Sequence, residues 1–332
     1  MKVNLFVFFN LTIILSFLVL GSFSFSIYAL EFGHKTMWGE KGVSQGQFNQ
    51  PGGIAVDSDN NVYVADISGY STRMIQVFSP NGTFINGFGT FGNGPQYFAG
   101  PSGMAIDSQD NIFVADFGNP NYAIKEFDKN GTFIRTFGSL GFGPGQFINP
   151  GGLGNDAEDN LYATDFGENN NVQKFDKNGN FLMAFGSPGK GNGQFNNPTD
   201  VAVDSTGNIF VADSTNDRVQ KFDKNGNFLM AFGSSGAESS TMNIGTAGAG
   251  NGTLSNPFEL AIDSGDNVYV VDNHNNRVQV FDNSGNYVTQ FGNTGAAHER
   301  LQNPVGIAID SLGDVYVADG RDTDIHVFTR IG

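Results

Sequence analysis

One unit occurs six times along this chain, and that repetition limits the fold more than any other property of the sequence. Its anchor prolines are Pro51, Pro101, Pro150, Pro198, Pro257 and Pro304. The clearest copy, NNPTDVAVDSTGNIFVADSTNDRVQKFDKNGNFLMAFG from Asn196 to Gly233, contains four apolar runs of strand length separated by turn residues. Four short strands per unit, repeated six times, predict an all-β fold of four-stranded blades set around an axis. The turns have their own chemistry. A D-S-x-x-N turn joins the first and second strands, and Asn-Gly supplies the positive φ angles of a tight hairpin between the third and fourth. That hairpin recurs as Asn81-Gly82, Asn130-Gly131, Asn178-Gly179, Asn225-Gly226 and Ser284-Gly285.

Loop lengths separate two faces. From the aspartate ending the first strand to the first apolar residue of the second is five positions in every unit, as from Asp57 to Val62 and from Asp310 to Val315. From Asp66, Asp116, Asp165, Asp213, Asp272 and Asp319 to the phenylalanine of the third strand the count is 12, 11, 10, 9, 9 and 9. The second-to-third loops and the blade-to-blade connections share one face, so variation is confined there, where function usually resides. The six aspartates, present in every unit, read as turn or backbone caps rather than catalytic acids.

The ends of the array predict how the ring closes. The glycine of each terminal Phe-Gly pair lies 12 positions before the next anchor proline, except that Gly233 lies 24 before Pro257 and so carries a 12-residue insertion. Trp38-Gly39 occupies the same register before Pro51 without three strands ahead of it, while the sixth unit stops after its third strand at Phe328. Leu30 to Trp38 therefore supplies the missing outer strand of blade six. The recurring Pro-x-G/D-[IV]-A-[IV]-D, N-[IV]-[YF]-V-A-D and N-x-R-V-Q-x-F-D-x-x-G resemble the NHL-repeat propellers over residues 30 to 332. That resemblance implies a six-bladed β-propeller. It leaves function open, since the family includes scaffolds, receptor sensor domains, RNA binders and a peptidyl-hydroxyglycine lyase.

Residues 1 to 29 differ from the rest: Lys2 is their only charge, and Val3 to Leu20 is nearly continuous apolar sequence. The pattern predicts a signal peptide cleaved near Ala29, or an uncleaved membrane anchor of the same orientation. Either places residues 30 to 332 outside the cytoplasm, secreted or held at the membrane by that segment. With no cysteines the exported domain must be stabilised by packing, without disulfides. A net charge of −16 makes this an acidic protein and argues against nucleic acid as a partner.

Candidate site residues are few. The position two after each anchor proline is Gly53, Gly103, Gly152 and Gly306 in four blades but Asp200 and Glu259 in the adjacent blades four and five. Those carboxylates read either as solvated rim residues or as ligands of a hard cation such as Ca²⁺ at the channel mouth. Loop aromatics Tyr70, Phe117, Tyr122 and Phe166 are candidate binding anchors or packing residues on blades one to three. His34, His274, His298 and His326 occupy unrelated register positions, which argues against a zinc lyase site. Asn81, Asn130 and Asn251 begin N-x-T glycosylation sequons. The reading is an extracytoplasmic, monomeric platform whose variable face binds a protein, peptide or glycan. The alternative is a cation-dependent channel hydrolase or lyase, resembling propeller lactonases or the hydroxyglycine lyase.

Overall fold

In the computed structural model, residues 30–67, 74–118, 122–233 and 250–331 are described. Six four-stranded antiparallel sheets account for nearly all the regular structure. Blade one consists of Pro51–Val56, Val62–Asp66, Ile75–Phe78 and Phe84–Phe88, and blades two to five repeat that order from Pro101, Pro150, Pro198 and Pro257. Blade six joins Pro304–Ile309, Val315–Asp319 and Asp324–Ile331 to the N-terminal strand Glu31–Trp38. The expected closure is therefore present: Glu31–Trp38 runs antiparallel to Asp324–Ile331, with Glu31 opposite Ile331 and Trp38 opposite Ile325.

Each blade packs on the next through a wedge. The residue three before each anchor proline, Phe48, Phe98, Phe147, Phe195, Leu254 or Leu301, is buried between blades. It faces the glycine of the preceding Phe-Gly or Trp-Gly pair. A Cβ at Gly89 would lie 2.2 Å from the Phe98 ring, and one at Gly233 would lie 2.3 Å from Leu254. These glycines also hold positive φ, +71° at Gly89 and +95° at Gly233, so the position excludes side chains on two counts.

The hairpin glycine makes a second contact between blades. Gly131 closes over Phe88, Gly179 over Phe137 and Gly226 over Phe185, in each case the terminal aromatic of the preceding blade. Gly82 closes in the same way over Trp38, with a Cβ there only 2.3 Å from the indole. Trp38 thus stands in the register of those phenylalanines, and its ring lies 4.4 Å from that of Phe78.

The strand-ending aspartates cap backbone, as the repeat predicts. All six are fully buried. Asp66 accepts the N–H groups of Asn49 and Gln50, Asp116 those of Ala99 and Gly100, and Asp165 those of Ile148 and Asn149. In blades four and five the same carboxylate also pairs with Arg218 or Arg277, each at 2.7 Å. Removing water from an anion is costly, and these N–H and guanidinium donors compensate it.

Trp38→Ala should destabilise the domain by about 2–4 kcal/mol, whereas Trp38→Phe should cost only about 1 kcal/mol because the equivalent blades use Phe. Urea unfolding of the two variants beside the parent measures both.

Candidate functional site

The innermost strands approach closely at the position two after each anchor proline. A Cβ at Gly53 would meet the Ser102 carbonyl at 2.3 Å, one at Gly103 the Gly151 carbonyl at 2.6 Å, and one at Gly306 the Gly52 carbonyl at 2.3 Å. Glycine is required because backbone meets backbone around the axis. Asp200 and Glu259 occupy the same ring differently. Asp200 Oδ2 accepts the N–H of Leu260 in blade five at 2.8 Å, and a Cβ at Gly152 would lie 2.0 Å from its Oδ1. Glu259 Oε2 accepts the N–H of Ile307 in blade six. Each acid thus replaces a close backbone approach with a side-chain bridge to the following blade.

The two carboxylates are not a solvated rim. Asp200 is only 4% exposed, and Glu259 is half-buried with its open surface turned to the axial cavity. Burial pushes both acids well above the ordinary carboxylate range, and for Glu259 the neighbouring Asp200 charge adds to the effect. The backbone N–H groups that each accepts oppose the shift. Together they form a coupled pair that holds proton more firmly than either acid would in water.

Above the pair lies a cavity of about 320 Å³ on the variable-loop face. Phe117 and Phe166, from blades two and three, line it with ring centroids 6.3 Å apart. Ile67, Phe258 and Val305 complete its apolar wall, and Gln50, Asn197, Thr199, Asn303 and Glu259 supply polar groups. The wall follows a compensation rule. In blades one to three the residue after the anchor proline is small and the residue after the strand-ending aspartate is large, Gly52 with Ile67, Ser102 with Phe117 and Gly151 with Phe166, while blade four has Thr199 with Ser214. Blades five and six reverse it, pairing Phe258 with Asn273 and Val305 with Gly320.

The structure therefore brings together Asp200, Glu259, Phe117 and Phe166 from the sequence candidates. Tyr122 is half-buried at a φ of +35° and lies outside the lining of the cavity, while Tyr70 falls outside the described residues. Asn81, Asn130 and Asn251 are exposed. Phe258, Ile67 and Val305 escaped the sequence reading, although the exchange of small and large residues across the anchor and aspartate positions could have revealed them.

Ring closure also brings His34 and His326 together, with centroids 5.3 Å apart. Desolvation and the His326 imidazole hold His34 below its usual pKa. His326 replaces the third-strand glutamine that clamps the blade connection in blades one, three, four and five, as Gln220 does by accepting from Gly193 and donating to Gln194. Among the described residues, no group of three or more His, Cys, Asp or Glu gathers to hold a metal ion. The Asp200 and Glu259 pair is a poor fit for Ca²⁺. A hard cation needs six or more oxygens, and one oxygen of each acid is already engaged by an N–H.

The fold defines a six-bladed propeller with a cavity at one end of its axis. Comparison with known families makes this specific. The NHL repeat family matches residues 48–78, 98–127, 195–222, 254–281 and 301–328, which are blades one, two, four, five and six. The chain is an NHL-repeat six-bladed propeller. Its unmatched third blade replaces the first-strand ending, Ala-Val-Asp or Ala-Ile-Asp in the other blades, with Gly154-Asn155-Asp156, and the usual Val-Ala-Asp second-strand ending with Ala163-Thr164-Asp165.

A 54-residue stretch is 37% identical to the protein lin-41 of Caenorhabditis elegans, covering 16% of this chain and 5% of lin-41. Similar solved folds include the virginiamycin B lyase of Staphylococcus aureus. It has a TM-score of 0.59 and 15% identity, over 91% of this chain and all of that one. A gluconolactonase of Xanthomonas campestris has a TM-score of 0.61 and 12% identity, over 86% of this chain and 88% of that one. At such identity the likeness is one of fold.

The raised acids give a signed stability effect. Between the ordinary carboxylate range and their folded values, the native state holds protons that the unfolded chain has released, so stability falls as pH rises. The double variant Asp200→Asn, Glu259→Gln should lose this slope. Unfolding free energies measured from pH 5 to 8 should show the variant gaining at least about 1 kcal/mol on the parent.

Proposed function

We propose that this propeller is an extracytoplasmic recognition module that binds a protein, peptide or glycan at the variable-loop face. The observation carrying the proposal is the cavity on that face, where two loop phenylalanines and Phe258 surround the opening of the axis. Aromatic side chains in a concave site bury large area at small conformational cost and commonly anchor binding. The acidic surface and the apolar N-terminal segment fit an exported, soluble platform, with that segment as cleaved signal or anchor. The lin-41 match covers too little of either chain to name a partner.

A second reading is a channel hydrolase or lyase, favoured by the proton-holding carboxyl groups of Glu259, at the floor of the cavity, and its buried neighbour Asp200. Raised carboxyl groups are suited to general acid chemistry. They are also suited to binding, and among the described residues no group of three or more His, Cys, Asp or Glu gathers to serve a cation-dependent mechanism.

Screening peptide and glycan arrays with the parent and with the double variant Phe117→Ala, Phe166→Ala separates the readings. The platform reading expects discrete hits on the parent, reduced at least about tenfold in the variant while its melting temperature stays within a few degrees. Hits of equal strength on both proteins would overturn it. So would turnover of lactone or peptide substrates that disappears on Asp200→Asn, Glu259→Gln.

A further inference from the structure

The axial cavity combines three features that the recognition reading leaves unexplained. Its wall is apolar and aromatic over blades one, two, three, five and six, through Ile67, Phe117, Phe166, Phe258 and Val305. At its floor stands a carboxylate: Glu259 lines the cavity and spends Oε2 on the Ile307 N–H, while among the described residues Oε1 takes no hydrogen bond. None of the described lining residues is basic. Among the described residues, no charged side chain other than Asp200 bears on Glu259.

An anion set in a low-dielectric pocket without a counter-charge is costly, and the protein meets that cost by retaining proton. A ligand bringing its own positive charge relieves the same cost. Its polar end must be compact enough to reach Glu259 between strands, and the part above it must be apolar to cover the phenylalanine faces. Aromatic faces attract cations as well, so the wall does not oppose the charge as it passes. The net charge of −16 on the chain draws cations toward the molecule and repels anions.

We propose that the cavity binds an aliphatic ammonium group, with its alkyl stem against Phe117, Phe166 and Phe258 and its charge on Glu259. Two sources carry this chemistry, a lysine side chain of a protein or peptide partner and a free alkylamine. The proposal rests on the recognition reading and sharpens it, since it says what the anchor of a partner is. Binding exchanges one cation for another: the ammonium enters with its proton retained, the raised carboxyl group gives up its proton, and that proton passes to solvent. Affinity should therefore rise with pH through the titration of Asp200 and Glu259, and fall only where the amine itself deprotonates.

The test is isothermal titration of the full chain with hexylammonium chloride, 1-hexanol and Nα-acetyl-lysine methylamide, at pH 6, 7 and 8. Each pH is run in two buffers of different ionisation enthalpy, to count released protons. The expected result is saturable binding of hexylammonium, at least about tenfold tighter than hexanol, strengthening with pH and releasing close to one proton. Glu259→Gln should abolish the preference for charge and the proton release, with its circular dichroism spectrum and melting behaviour showing that it is folded. Binding of acetyl-lysine methylamide with the same pH dependence assigns the site to a lysine side chain, and its failure beside good hexylammonium binding assigns it to a free amine. Equal binding of hexanol and hexylammonium, or the same charge preference in Glu259→Gln, would overturn the proposal while leaving the binding face in place. If neither probe binds, the cavity proposal fails and the array experiment still decides the recognition reading.

Discussion

The contact on which the rest of this molecule depends is a bare backbone held against an aromatic ring. At the end of each blade a glycine with positive φ presents no side chain to the wedge, Phe48, Phe98, Phe147, Phe195, Leu254 or Leu301. One strand pair later the hairpin glycine closes over the terminal aromatic of the blade before. The wedge repeats around the whole ring, and the hairpin glycines of blades one to five fix the outer edge a second time. In a chain with no disulfides, this packing fixes the blade spacing. Trp38 matters for the same reason: it carries the register across the join between the two chain ends.

Close packing of blades sets the terms at the axis. Where glycine stands two positions after the anchor proline, strands meet backbone to backbone. Where Asp200 and Glu259 stand, the side chain spans the gap and ends on an N–H of the next blade. Two acids brought so near each other, and so far from water, keep a proton that ordinary carboxylates would release. The departure from glycine occurs in adjacent blades, beneath a cavity walled by Phe117 and Phe166 of blades two and three and by Phe258 of blade five. A symmetric scaffold has become asymmetric at one end of its axis.

Much of this could be read in the sequence. Equal spacing from prolines to Phe-Gly pairs is enough to number the blades and to find the strand that completes the last one, because closure leaves a missing piece at each end. The capping role of Asp66 and its five equivalents followed from their presence in every unit. Burial of Asp200 was less legible: its position near the axis was evident, but its depth depends on how closely Gly152 and Leu260 approach from other blades. The cavity wall was half visible. Phe117 and Phe166 stood out as loop aromatics, whereas Phe258 follows an anchor proline and looked like any strand residue. Tyr122, selected by the same criterion as Phe117, stands at a φ of +35° and does not line the cavity.

The central claim is that Glu259, at the floor of the cavity, and its buried neighbour Asp200 hold proton well above the ordinary carboxylate range. Carbon-13 NMR of the side-chain carboxyls, with resonances assigned by Glu259→Gln and Asp200→Asn, observes it directly. The account predicts that Glu259 titrates well above the ordinary carboxylate range, and that replacing Asp200 by Asn moves its midpoint down. A Glu259 midpoint in the ordinary range, unmoved by the loss of Asp200, would contradict it.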